Sequence, residues 1–218
     1  MSKRFAFILV ISVILFSGFL IFGKKDTNTP NNSSSSRPTS HTKGQGKSGV
    51  VLVEYGDFQC SACYAYEPVI KEIFSTYNEQ ITFQFRNFPL VQIHKNALVA
   101  SRAAEAAALQ GKFWEMHDKL YETQDPSGKT GWVVADDPVS YFAEIAAKLG
   151  MNVEKFKTDL KSSAVNDSIQ ADIKEGQALD FSGTPSFVLD GKRIEKNPAD
   201  LQAFKKLIED TIKAKTGQ

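Results

Sequence analysis

The sequence contains only two cysteines and three histidines in 218 residues. With 42% hydrophobic residues the chain can build a genuine core, so the cysteines are not needed as structural staples. A zinc site needs about four ligands, and two cysteines with no histidine nearby do not complete one within a single chain. A net charge of +1 without a basic patch gives no indication of nucleic-acid binding. We therefore expect neither a metal nor another bound cofactor.

An uncharged apolar segment, Phe5–Phe22, lies near the start of the chain and follows Lys3 and Arg4. As a helix rising ~1.5 Å per residue it would be roughly 27 Å long, which is just sufficient for the hydrocarbon core of a bilayer. The positive-inside rule then places the N-terminus in the cytoplasm. We expect residues 1–23 to be a single-pass anchor in the cell membrane, with the rest of the chain extracytoplasmic. A cleaved signal peptide is the alternative, although its apolar region is usually shorter.

Residues 24–47 are rich in Asn, Ser, Thr, Pro, Gly and Lys and include no large apolar residue. Such a composition cannot bury a core, so it predicts a flexible linker in which His41 is solvated. Residues 1–47 carry seven basic side chains and one acidic side chain, which makes the rest of the chain net negative. We expect the folded domain to occupy residues 48–218.

The two cysteines form the motif Cys60-Ser61-Ala62-Cys63, directly after an apolar run that reads as a buried strand. Cysteines three positions apart on one helical turn can approach closely enough to form a disulfide. At the N-terminus of a helix, unpaired N–H groups and the helix dipole also favour a thiolate on Cys60. A reversible dithiol–disulfide pair is therefore the first functional hypothesis.

The hydrophobic pattern predicts an α/β fold in the order βαβ, a helical block at about residues 95–180, and ββα. Pro68 lies inside the first helix and should kink it. An Asp-Gly turn follows the third strand, and Asn197 should cap the last helix with Pro198 at its first position. The predicted strands are Val50–Tyr55, Ile81–Arg86, Ser186–Leu189 and Lys192–Ile194, and the predicted helices before the last are Cys63–Tyr77, Asn96–Gln110, Phe113–Tyr121, Pro138–Leu149, Val153–Leu160 and Val165–Leu179.

Further motifs surround the cysteines. Glu54 lies six residues before Cys60, the segment Gly111–His117 contains Lys-Phe-Trp-Glu-Met, and Gly183–Phe187 contains a Thr-Pro pair. Together with the Cys-x-x-Cys motif and the βαβ pattern, these features resemble the DsbA-like thiol–disulfide oxidoreductases of the thioredoxin superfamily, in their membrane-anchored bacterial branch. The resemblance covers roughly residues 48–216. It implies a thioredoxin fold with a helical insertion domain between its βαβ and ββα halves.

The resemblance also implies a role for each residue of the site. Cys60 would be attacked by a substrate thiolate to give a mixed disulfide, and Cys63 would be the leaving and resolving sulfur. Glu54 would relay protons near Cys63, and burial should raise its pKa. A cis bond before Pro185 would bring the backbone of Thr184 beside Cys60, where an extended substrate can pair as a strand.

The function that the resemblance implies is an extracytoplasmic oxidase that donates the Cys60–Cys63 disulfide to exported proteins with reduced cysteines. A membrane protein of the DsbB or VKOR type would reoxidise it. Two alternatives stay open: a reductase or isomerase on the same fold, and a non-catalytic anchored binding module with a structural disulfide. Ser61 and Ala62 provide no imidazole, unlike the Pro-His pair of the strongest oxidants, so the motif itself does not fix the direction.

Other candidate residues have both a structural and a functional interpretation. Asp57 is either a turn residue or a catalyst. His94 and His117 are interpreted as structural rather than as metal ligands. Four aromatic side chains could border a peptide groove, although core packing explains most such residues: Tyr55, Phe58, Tyr64 and Tyr66.

Overall fold

The computed structural model describes residues 37–217. The predicted anchor at residues 1–23 and the predicted linker as far as residue 36 lie outside this range. None of the helices within residues 37–217 is both long enough and apolar enough to cross a bilayer. The strands of the described chain are β1 (His41–Lys43), β2 (Val50–Gly56), β3 (Ile81–Asn87), β4 (Ser186–Leu189) and β5 (Lys192–Arg193), and its α-helices are α1 (Ser61–Tyr77), α2 (Ala97–Ala108), α3 (Phe113–Glu122), α4 (Pro138–Lys148), α5 (Val153–Leu160), α6 (Ser163–Ala178) and α7 (Leu201–Thr216).

The strands form one mixed sheet in the order β1-β3-β2-β4-β5. β2 and β3 are parallel, as expected for a βαβ unit, and the other neighbours are antiparallel. The predicted α/β fold with helices between the two halves is confirmed. β2 lies at the centre of the sheet, so the motif that follows it begins at the end of the most enclosed strand.

The strands follow from their alternating pattern. Ile81, Phe83 and Phe85 of β3 are buried, whereas the residues between them are half-buried. The inward residues of β2 to β4 form one core with apolar residues of α1 and α7. The helices from α2 to α5 build a second core, which continues through Phe58 and Phe85 to both cysteines. The active-site motif therefore lies where the helical block meets the sheet.

The predicted start of the folded domain at residue 48 is wrong, because β1 belongs to the sheet. His41–Lys43 pairs antiparallel with β3. Thr39 is buried and donates from its N–H and its hydroxyl to the carboxylate of Asp172, at 2.7 Å each. His41 is not solvated: its ring stacks on Phe113, and its Nε2 lies 2.8 Å from Glu105 Oε1. Polar contacts to distant carboxylates thus order a segment that lacks large apolar residues.

The predicted start of the last helix is also wrong. α7 begins at Leu201, and Asp200 caps it by accepting a hydrogen bond from Ala203 N. Asn197 instead donates to the carbonyl of Pro185 at 2.7 Å. The other helices agree with the prediction to within two residues at each end. α1 continues past Pro68, and a kink there stays a prediction.

Candidate active site

The two cysteines lie at the start of α1. Cys60 is the N-cap residue, with extended backbone angles, and Cys63 is one turn further into the helix. Cys60 is 7% exposed and Cys63 is 1% exposed, and both are free thiols. A partner molecule approaching from solvent therefore reaches the Cys60 sulfur first.

The surroundings lower the pKa of Cys60 from 9.0 to about 5. The main cause is the interaction with the thiol of Cys63, which together with a smaller effect of the Thr184 hydroxyl outweighs the opposing effect of burial. The backbone N–H groups of Cys63 and Ala62 at the start of α1 also stabilise the thiolate. Cys60 is thus the thiol that ionises at neutral pH.

The pKa of Cys63 is raised well above 9.0 in the opposite direction. Burial is the largest cause, and the hydrogen bond that Cys63 gives to Cys60 and the charge of Glu54 act in the same sense. At neutral pH the reduced pair accordingly holds one negative charge on Cys60 and one proton on Cys63. This division matches a more accessible sulfur at Cys60 that reacts as a thiolate and an inner sulfur at Cys63 that needs a proton acceptor before it can react.

Glu54 is buried in the middle of the sheet, at 2% exposure. Its register partners are Phe85 on β3 and Phe187 on β4, so it has apolar neighbours on both sides. Burial raises the pKa of Glu54 well above 4.5, the charge of Glu67 adds to the rise, and the ammonium of Lys43 opposes it. A buried carboxyl whose pKa is raised, and that interacts electrostatically with Cys63, can exchange a proton with that sulfur.

The Thr184–Pro185 peptide bond is cis. It places the Thr184 carbonyl 3.4 Å from the Cys60 sulfur, where it accepts a hydrogen bond from the thiol. A cleft of about 430 Å³ lies beside this bond and is lined by residues between Phe181 and Asn197. A larger cleft of about 690 Å³ lies between β5 and α7 and contains none of the predicted site residues. The structure therefore brings together Cys60, Cys63, Glu54, Thr184 and Pro185.

Asp57 anchors the turn that carries the cysteines. It is fully buried and accepts hydrogen bonds from Gln59 N at 2.8 Å and Leu90 N at 2.9 Å, and its Oδ2 lies 2.7 Å from His94 Nδ1. The hydrogen bond to Asp57 raises the pKa of His94. These contacts fit the turn-residue interpretation of Asp57 and the structural interpretation of His94.

Sequence reasoning did not identify Gln59 as a link between the two parts of the fold. Its amide donates to the carbonyl of Val133 at 2.9 Å and accepts from Asn96 N at 2.8 Å. The residue immediately before Cys60 therefore ties the active-site turn to the helical block. A glutamine beside a Cys-x-x-Cys motif does not by itself indicate such a contact, so the sequence could not have predicted it.

The aromatic candidates divide between core and surface. Tyr55 and Phe58 are buried, which fits core packing. Tyr66 donates from its hydroxyl to the carbonyl of Pro198 at 2.7 Å. Tyr64 is 38% exposed, directly after Cys63 in sequence, and is the one of these four that presents a large aromatic face beside the motif.

A further polar cluster lies between α1 and α3. Glu67, His117 and Asp118 each offer a ligand atom, and these atoms lie within 4.8 Å of one another. The cluster has one ligand fewer than the four typical of structural zinc, and it includes neither cysteine. His117 is 1% exposed and packs against the rings of Phe58 and Phe85. Sequence analysis interpreted His117 as structural and did not single out Glu67.

Comparisons with known proteins agree with this geometry. A sequence model of the family described as "Thioredoxin" matches residues 36–210. The chain is 34% identical over 171 residues to a Na(+)/H(+) antiporter, NhaA 1, of Mycolicibacterium vanbaalenii, which covers 78% of this chain but only 26% of the antiporter. It therefore spans about a quarter of that protein's length.

Two other similarities extend over nearly the whole relative. A Bacillus cereus protein named "Probable disulfide bond formation protein D" is 31% identical over 214 residues, covering 95% of this chain and 93% of that protein. The crystal structure of oxidised BdbD from Bacillus subtilis has a TM-score of 0.69 at 24% identity, covering 82% of this chain and 97% of that one, which shows a shared fold. The chain therefore belongs to the DsbA-like thiol–disulfide oxidoreductases of the thioredoxin superfamily.

Proposed function

We propose that the chain is an extracytoplasmic oxidase that donates the Cys60–Cys63 disulfide to exported proteins. The observation that carries this proposal is the division of pKa values, lowered at Cys60 and raised at Cys63. A stabilised Cys60 thiolate favours the reduced form of the pair, and a pair that is readily reduced is a strong oxidant of other thiols. The name of the Bacillus cereus relative points in the same direction.

The reaction uses two substrate thiols and the enzyme disulfide. A substrate thiolate attacks the Cys60 sulfur, the S–S bond breaks, and its electron pair goes to the Cys63 sulfur, which takes a proton from Glu54. A second substrate thiolate then attacks the substrate sulfur of the mixed disulfide and releases Cys60 as a thiolate. The substrate loses two electrons and the Cys60–Cys63 pair gains them, so the pair must be oxidised again by a separate disulfide donor.

The cleft beside Pro185 fits an extended polypeptide as the substrate. Backbone groups of Thr184 next to Cys60 can pair with such a segment as a neighbouring strand, and this mode of binding does not depend on particular side chains. A donor that acts on many exported proteins needs that tolerance.

The membrane location and the reoxidising partner are part of the proposal. The apolar segment Phe5–Phe22, with Lys3 and Arg4 before it, is suited to anchor the enzyme on the outer side of the cell membrane. A membrane protein of the DsbB or VKOR type would accept electrons from the reduced cysteines. A reductase or isomerase of the same fold would instead be kept reduced by a membrane electron donor.

The test is the redox state of Cys60 and Cys63 in living cells, measured by acid quenching, thiol alkylation and gel shift. A mostly oxidised pair supports the oxidase, and a mostly reduced pair contradicts it in favour of a reductase or isomerase. A Cys63→Ser variant should trap mixed disulfides with exported proteins through Cys60. A Cys60→Ser variant is the matched control and should trap none, and disulfide formation that survives Cys60→Ser would favour a binding module.

A further inference from the structure

Four polar side chains of α1 and α3 lie where these two helices face each other, and they take no direct part in the proposed exchange: Glu67, His117, Asp118 and Tyr121. Glu67 is 7% exposed and His117 is 1% exposed. The Nε2 atom of His117 and the hydroxyl of Tyr121 are buried without a hydrogen-bond partner among residues 37–217, and so is Oε2 of Glu54. Buried polar atoms without partners are costly, so a group of them calls for an explanation.

The sheet register and the helix spacing place these groups close to the inner cysteine. Cys63 and Glu67 are one turn apart on the buried face of α1. Glu54 is paired with Phe85 across β2 and β3, and the ring centroid of His117 lies 4.8 Å from that of Phe85. The space between α1, α3 and the centre of the sheet thus contains Glu54, Glu67 and His117 together.

The outer end of this group reaches solvent. The nearest ligand atoms of Glu67, His117 and Asp118 lie within 4.8 Å of one another, a gap that one water molecule can bridge. His117 Nδ1 lies 2.9 Å from Asp118 Oδ1, and the side chain of Asp118 is 39% exposed. The cluster therefore runs from the buried carboxyl of Glu67 to a carboxylate in contact with water.

Cations balance the carboxylates of the cluster. The ammonium of Lys43 lies 4.3 Å from the ring centroid of Trp114 and interacts electrostatically with Asp118, Glu67 and Glu54. The ammonium of Lys71 lies 3.3 Å from Glu67. The titratable and charged groups that act on the cluster are Lys43 from β1, Glu54 from β2, Asp57 and Cys60 from the turn before α1, Cys63, Glu67 and Lys71 from α1, and His117, Asp118, Tyr121 and Glu122 from α3.

We propose that Glu67, His117 and Asp118 form a proton path that connects Glu54, and through it Cys63, with solvent. The proposal rests on the proposed thiol–disulfide exchange and deepens it. An imidazole nitrogen can accept and release a proton, and one ring nitrogen of His117 lies within 4.8 Å of a carboxylate oxygen of both Glu67 and Asp118. The path moves protons only: it returns a proton to Glu54 after Cys63 has taken one, and it removes a proton when Cys63 must attack.

The sharpest test uses the step in which a proton has to leave. The full chain is converted to the mixed disulfide of Cys60 with glutathione and held at acid pH, where Glu54 and Cys63 are protonated. A rapid jump to a higher pH then starts resolution: Glu54 gives its proton to the path and takes that of Cys63, the Cys63 thiolate attacks Cys60, and glutathione leaves as a thiol. Quenching and alkylation at successive times give the rate of resolution.

Two isosteric variants interrupt the path, Glu67→Gln on α1 and Asp118→Asn on α3. Each should slow resolution roughly tenfold, and a small diffusible base such as imidazole should restore the rate. The matched controls are Glu72→Gln on α1 and Glu115→Gln on α3, because both carboxylates are exposed and outside the cluster. The mixed disulfides of the two control variants should resolve at the rate of the unaltered chain. The redox potential of the Cys60–Cys63 pair should be the same in the unaltered chain, the two path variants and the two controls.

Several results would overturn the path. One is resolution of the Glu67→Gln and Asp118→Asn variants at the control rate. Another is a slower rate that a shift in potential fully explains. A third is the finding that the purified protein binds one equivalent of a metal ion through Glu67, His117 and Asp118. If the unaltered mixed disulfide does not resolve at all, the proposed exchange itself fails, and that result is separate from any difference between variants.

Discussion

At the scale of single residues, the site depends on two thiols that differ although they are one helical turn apart. Cys60 receives hydrogen bonds at the open start of α1, whereas Cys63 lies inside the core beside Glu54. At pH 7 a pKa lowered from 9.0 to about 5 favours the reduced pair roughly 100-fold, which makes it more oxidising by roughly 60 mV, since each tenfold change in the equilibrium of a two-electron couple is ~30 mV. The surroundings of the sulfurs, rather than the motif alone, therefore favour the oxidising direction.

The side chain of Thr184 should contribute measurably to the low pKa of Cys60. Replacing it in a Thr184→Val variant removes a buried hydroxyl that helps to lower the pKa of Cys60 while keeping a similar shape, so this pKa should rise by up to roughly one unit. Titration of the thiolate by its ultraviolet absorbance in the reduced protein measures this. Ser186→Ala is the matched control, because the Ser186 hydroxyl bonds to the carbonyl of Gly183 in the same loop. A Cys60 that titrates near 9 in the unaltered chain would contradict the account.

At the scale of elements, β1 joins the two parts of the domain. Its backbone extends the sheet beside β3, while the side chains of His41 in β1 and of Thr39 just before it reach carboxylates of the helical block. Asp172 on α6 accepts from Thr39, and Glu105 on α2 contacts His41. Both carboxylates are buried, so removing β1 would leave them with fewer donors.

A chain that starts at residue 48 should consequently be less stable than one that starts at residue 37. Each hydrogen bond to a buried charge contributes ~1.5–3 kcal/mol, so the loss of those from Thr39 and His41 should lower the free energy of unfolding by at least about 3 kcal/mol. Urea denaturation of the two forms measures the difference. A Thr39→Val substitution should reproduce part of it and Ser40→Ala, at an exposed neighbour, should not. Equal stability of the two chain lengths would show that β1 is dispensable.

At the scale of the whole molecule, two buried carboxyls make folding depend on pH. Burial raises the pKa of Asp172 from 3.8 to about 6, against the hydrogen bonds from Asn87 and Thr39, and it raises the pKa of Glu54 as well. A carboxyl whose pKa is higher in the folded state favours folding in its protonated form. Its contribution is complete below the unfolded pKa and is lost as the pH rises through the folded value.

For Asp172 the relevant window runs from about pH 4 to about pH 6. In an Asp172→Asn variant this side chain carries no charge at any pH. We expect the free energy of unfolding of the natural chain, minus that of the variant, to fall by about 2–3 kcal/mol between pH ~4 and neutrality. Urea denaturation at the two pH values measures this. Asp167→Asn is a control on the same helix at an exposed position. If this difference in the free energy of unfolding rose with pH instead, the raised pKa of Asp172 would be contradicted.

Local patterns in the sequence predicted most of the fold. The alternation in β3, the apolar run of β2 and the helix periods gave element positions to within a few residues, and the motif with Glu54 and Pro185 identified the residues that meet in space. These signals lie within short segments. The cap of α7 was assigned to the wrong residue because Asn197 and Asp200 both suit a helix start, and only the position of Pro185 decides between them.

Long-range polar contacts could not be predicted in this way. Thr39 and Asp172 are 133 positions apart, and His41 and Glu105 are 64 apart. The segment that contains Thr39 and His41 has the composition of a linker, so no local pattern indicates a strand there. The cluster of Glu67, His117 and Asp118 is likewise assembled from two helices whose packing no short segment specifies.

The most direct test of the central claim is the redox equilibrium of Cys60 and Cys63 with glutathione, measured across pH by alkylation and mass spectrometry. The account predicts a reversible two-electron couple that is clearly more oxidising than thioredoxin at ~ −270 mV. Its potential should change by ~30 mV per pH unit between about pH 5 and 9, because reduction then takes up one proton. A potential at or below that of thioredoxin, or a pair that does not exchange with glutathione, would contradict it.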